Sequence, residues 1–117
     1  MSLPSAQLLD QPFATIPDLI HAFAKEQPEH LALIHNDRQT TYAELDALMD
    51  RVAVSLQRDG LKVGDTVAIC GSSSIEYASL YLGALRAGIA VAPLAPSSTP
   101  DSLVTMITDS GATHLFI

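Results

Sequence analysis

From residue 66 onward, short apolar runs alternate with helix-length segments, and this alternation constrains the fold more than any other feature. The runs at 66–70, 89–94 and 113–117 are nearly continuous in apolar residues, as in parallel strands covered on both faces. Between them, 74–87 and 99–110 read as helices closed by Gly88 and Gly111, since glycine readily takes the left-handed conformation that ends a helix. Thr99 followed by Pro100 and Asp101 is a helix start, a cap with proline in the first turn. The β-α-β-α-β order with short links predicts parallel pairing through right-handed crossovers.

The first half follows a different pattern. Residues 1–14, with Pro4 and Pro12, read as an irregular N-terminal arm, and 15–117 as one partial subdomain. A helix is expected over 16–26, with Thr15 as its cap, Leu19, Ile20, Phe23 and Ala24 as its stripe, and Pro28 as its stop. A strand at 31–34, polar turn residues 36–39 and a returning strand at 40–42 make a β-hairpin. Thr41 and Glu44 then form a capping box. The helix they open carries Leu45, Leu48, Met49, Val52, Ala53 and Leu56 at three- and four-residue steps and ends at Gly60. The fold class is therefore α/β: an N-terminal helix and β-hairpin, then a parallel βαβαβ unit.

At 117 residues the chain makes one domain at most. Its 48% hydrophobic content against 16% charged residues excludes a disordered or low-complexity chain. Six basic against thirteen acidic residues leave a net charge of −7, which argues against nucleic acid or an anionic membrane surface as partner. A lone cysteine, Cys70, excludes an internal disulfide and suits a reducing, cytoplasmic compartment. No apolar run approaches the roughly 20 residues of a membrane span.

Two features suggest an incomplete unit. The helix around 75–85 is apolar nearly all the way round, so it must be covered on more than one side. The sequence also stops at Ile117, inside an apparent core strand with an unprotected edge. An N-terminal piece of a larger protein is expected, its partner the remainder of the parent chain. Self-association through the uncovered strand and the apolar helix is a further expectation.

Local chemistry yields no catalytic, cofactor-binding or metal-binding assignment. Gly71, Ser72, Ser73 and Ser74 lie between strand and helix, where backbone amides can cradle a phosphate. No Lys is nearby and no phosphate-loop glycine spacing is present, so a turn with Ser73 or Ser74 as helix cap is favoured. His21, His30, His35 and His114 are scattered, with His21 assigned to the exposed side of its helix and His114 to a packed or edge position. Asp46 and Asp50, one turn apart, could hold a cation, but they lie opposite the apolar stripe and read as a solvated face. Asp109 and Ser110 read as capping groups at a helix end.

Five segments in order resemble the start of the adenylate-forming superfamily of acyl-CoA synthetases, nonribosomal peptide adenylation domains and luciferases. They are Thr40-Thr41-Tyr42-Ala43-Glu44-Leu45, with Thr40 where Leu is usual; Gly64-Asp65-Thr66-Val67; Ser73-Ser74-Ile75-Glu76; the stretch 82–94, with Arg86 for Lys before Ala87-Gly88 and Pro93-Leu94 at its end; and Asp109-Ser110-Gly111-Ala112. The resemblance implies an ATP-dependent ligase that joins a carboxylic acid to AMP and passes the acyl group to a thiol such as coenzyme A, with Mg accompanying ATP. Among possible parents an acyl- or aryl-CoA ligase, with fatty-acid metabolism as its setting, is favoured over a peptide-synthetase adenylation domain. The family's phosphate loop, adenine contacts and catalytic lysine fall beyond Ile117, so the chain alone is expected to be inactive. The alternative is a free-standing, flavodoxin-like binding module without ligase ancestry that oligomerises to cover itself.

Overall fold

In the computed structural model, residues 4–10 and 15–117 are described. After a short helix α1 (Ser5–Asp10) come α2 (Ile16–Glu26), a hairpin of β1 (Leu31–His35) and β2 (Arg38–Thr41), and α3 (Tyr42–Arg58). The second half runs β3 (Thr66–Cys70), α4 (Ile75–Arg86), β4 (Ala90–Leu94), α5 (Pro100–Ser110) and β5 (His114–Phe116).

Four of these helices start on a hydroxyl cap. The side chains of Thr15, Thr41, Ser74 and Thr99 accept from the amides of Asp18, Glu44, Tyr77 and Ser102 at 3.0–3.2 Å, each satisfying a donor that the first turn leaves orphaned. At α3 the Glu44 carboxylate accepts from the Thr41 amide at 3.0 Å and closes the capping box. This is also why Tyr42 belongs to α3 and not to the returning strand: the residue after a cap is the first helical one. In the hairpin, Asn36 takes a φ of 57° beside Asp37, and His35 pairs with Arg38, so the turn is tighter than four residues. The arm expected to be irregular contains α1, whose Ser5 amide donates to Glu26 at 3.2 Å; its residues 1–3 and 11–14 lie outside the described residues.

β3 is the centre of a three-stranded parallel sheet of order β4-β3-β5. The chain moves from β3 to one neighbour and then back across to the other, so right-handed crossovers put α4 and α5 on opposite faces. The core divides accordingly. Val67 packs with Ala84, Ala87, Ala53 and Leu56 on the α3–α4 face, while Ala68, Cys70 and Leu94 face Leu103, Met106 and Ile107 of α5. Both sides of β3 are thus dry, which its unbroken apolar run foretold.

α4 is the hub of the helical layer. It packs on α3, α2 and the sheet, and Glu76 is its one exposed residue. Gly83 sits where α4 meets α3: a Cβ there would lie 2.5 Å from Val52 Cβ and 3.0 Å from the Met49 carbonyl oxygen. Ser79, buried on the same helix, donates to the Ile75 carbonyl at 2.7 Å. Against α3, helix α2 buries Ile20 with Leu45 and Met49, and the Phe23 and Tyr42 rings meet at 5.3 Å.

Candidate functional site

In parallel sheets, ligands gather at the carboxyl ends of the strands, at the point where the connections change face. Here that point is the end of β3, where residues 71–74 turn into α4 over a cleft of about 450 Å³. Ile69, Tyr77, Leu80, Phe116 and Ile117 line it, with His35, Ser72, Ser73 and Glu76 among the polar groups. Ser74 is committed to its cap, and Ser72 and Ser73 are exposed.

The chemistry of this turn does not suit a phosphate. Gly71 is not among the glycines with positive φ, and a Cβ on it would meet only Tyr77 Cδ2, at 3.8 Å, so no close backbone approach demands glycine. Among the described residues, no Lys or Arg lines the cleft. The guanidinium of Arg38 binds the Glu76 carboxylate from the hairpin. Hydrogen bonding to its own amide, then to Arg38, holds Glu76 below the usual carboxylate range, so the carboxylate beside the helix start is ionised and paired with Arg38.

A second constellation joins residues that the sequence scattered. Arg86 donates to Asp46 Oδ1 at 2.7 Å, the Asp46 carbonyl at 3.0 Å, Asp50 Oδ1 at 2.9 Å and the Pro17 carbonyl at 3.2 Å. Asp46 Oδ2 lies 3.0 Å from His21 Nδ1. The side chains of Arg86 and Asp46 are 16% and 15% exposed, and that of Asp50 65%. Asp46 is therefore not on a solvated face, nor is His21 turned away from the protein. The cation these carboxylates hold is a side chain from α4, and the bonds tie α2, α3 and α4 together. Asp50 alone matches the solvated expectation. Carboxylates four residues apart on α3 were the visible signal; what hid the cluster is the 40-residue separation between Asp46 and Arg86.

The remaining candidates have structural surroundings. His30 is exposed, and His35 lies at the cleft. His114 is half-buried in β5 with Nδ1 2.9 Å from the Thr113 hydroxyl. Ser110 donates to the Ile107 carbonyl at 2.8 Å and accepts from the Ala112 amide at 3.2 Å, while Asp109 is solvated. Cys70 is buried and unpaired. Among the described residues no three His, Cys, Asp or Glu side chains gather as metal ligands, and no helix is long and apolar enough to cross a membrane.

The segments that carry the family resemblance hold this framework in place. Gly64, at a φ of 93°, turns the chain into β3, and the Asp65 carboxylate accepts from the Lys62 amide at 2.7 Å. Gly88, at a φ of 77°, follows α4, and Pro93 stands opposite Ile69 in the sheet. A model of the family described as AMP-binding enzyme matches residues 20–117. The chain belongs to the AMP-binding enzyme family. It is 41% identical over 90 residues to Nonribosomal peptide synthetase 5 of Gibberella zeae, an alignment covering 77% of this chain and 1% of that protein.

Among solved structures, the N-terminal subdomain of Klebsiella oxytoca NpsA superposes with a TM-score of 0.82 at 28% identity, over 88% of this chain and 27% of that one. An artificially fused adenylation–PCP di-domain NRPS, NpsA-ThdA from the same organism, gives 0.83 at 27% identity, over 90% and 20%. The O-succinylbenzoate coenzyme A synthetase of Bacillus subtilis, in complex with AMP, gives 0.78 at 28%, over 82% and 25%. The chain thus spans about a quarter of the NpsA subdomain. It is a portion of an AMP-binding fold with N-terminal subdomain architecture, and an AMP-binding ancestry sets aside the unrelated flavodoxin-like module.

AMP-binding enzymes imply ATP and Mg. The described residues do not fit either group: none of the residues lining the cleft is Lys or Arg, the Arg38 guanidinium at its edge is taken up by Glu76, and no three His, Cys, Asp or Glu side chains gather for a divalent ion.

Proposed function

We propose that this chain is a scaffold portion of an ATP-dependent, carboxylate-activating ligase, acting as part of a longer polypeptide and silent in catalysis by itself. The family match over residues 20–117 supports the reaction class: a carboxylic acid is joined to AMP with release of pyrophosphate, and the acyl group then passes to a thiol. The 41% identity to a nonribosomal peptide synthetase is the observation that favours a peptide building block as the acid and a carrier-domain thiol as the acceptor. This departs from the fatty-acid acyl-CoA synthetase expected from sequence. A coenzyme A acceptor is the second reading, supported by the superposition on the O-succinylbenzoate coenzyme A synthetase.

The role of this portion is mechanical. It supplies a rigid sheet with helices on both faces, and its apolar cleft beside β5 is a seam for the rest of the polypeptide. ATP, Mg and the acid are proposed to bind residues outside this chain. Buried, unpaired Cys70 supports a reducing, cytoplasmic setting. Isotope exchange between labelled pyrophosphate and ATP, run over a panel of amino and aryl acids, tests the proposal. The isolated chain is expected to incorporate no label, and incorporation would place working groups within these residues.

A further inference from the structure

We draw no further inference here: the strongest candidate, the apolar trough beside β5 in which two adjoining hollows share Leu80 and Phe116, belongs to the seam already proposed, and nothing in the structure shows what else would cover it.

Discussion

Arg86 ties three helices of the layer together. Its guanidinium meets acceptors on two other helices, a geometry that suits a planar fork of donors and not a single ammonium. Replacing it by Ala leaves Asp46 mostly buried without its cation, and removing one member of such a pair costs about 3 kcal/mol. We expect Arg86→Ala to lower the urea midpoint by a corresponding amount, and Arg86→Lys, the residue usual in the family segment, to recover only part of it. An unchanged midpoint for Arg86→Ala would show that the cluster adds nothing to stability. Gly83 is the second such position. Alanine normally favours a helix by about 1 kcal/mol over glycine, yet here its methyl would meet Val52 Cβ and the Met49 carbonyl. Gly83→Ala is therefore expected to destabilise by about 1–3 kcal/mol. Val52→Ala should not rescue it, because the Val52 Cβ and the backbone oxygen both stay. Neither position was legible as a contact in the sequence: glycine inside an apolar helix and arginine near its end acquire meaning only when α3 is laid across α4.

At the scale of elements, what was legible was what local chemistry decides. Thr15, Thr41, Ser74 and Thr99 cap helices because a hydroxyl reaches the amide three residues on, and that geometry needs no tertiary partner. The parallel strands were legible because β3 is dry on both sides. Errors arose where local signals overlapped, as at Tyr42, a good strand former that directly follows a cap, or where distant charges decided the outcome, as at Asp46. The capping box also carries a pH dependence. The Thr41 amide, then its hydroxyl, lower the Glu44 pKa below 4.5, so the ionised carboxylate stabilises the folded state. A group with a lowered folded pKa contributes in full above its unfolded value and loses that contribution as pH falls through the folded one. The stability difference between the natural chain and Glu44→Gln, which retains a capping side chain without charge, should therefore shrink on acidification below about pH 4.5. Denaturant titrations at several pH values would show this; a difference independent of pH would contradict it. Thr41→Ala is expected to cost about 1 kcal/mol at neutral pH.

The whole molecule combines a well-determined centre with an open side. β4 carries Pro93, which lacks an amide donor and blunts its edge. Among the described residues no strand pairs with the outer edge of β5, and Leu115 is 41% exposed. Free strand edges with apolar side chains promote association. Sedimentation velocity on the isolated chain should show weight-average mass rising with concentration, and Leu115→Lys should reduce the rise; a single monomeric species at every concentration would show that this side needs no cover. The topology of this side was legible from the strand–helix order, and the five ordered segments marked the family that matches residues 20–117; the acid and the acceptor thiol were not legible, because those segments shape turns and caps. The central claim is that these residues are framework for an activity whose working groups lie elsewhere in a longer polypeptide. Pyrophosphate–ATP exchange tests it most directly when run side by side on residues 1–117 and on the longest polypeptide encoded by the same reading frame. The account predicts acid-dependent exchange from the long form and none from the short one; exchange by residues 1–117 alone would contradict it.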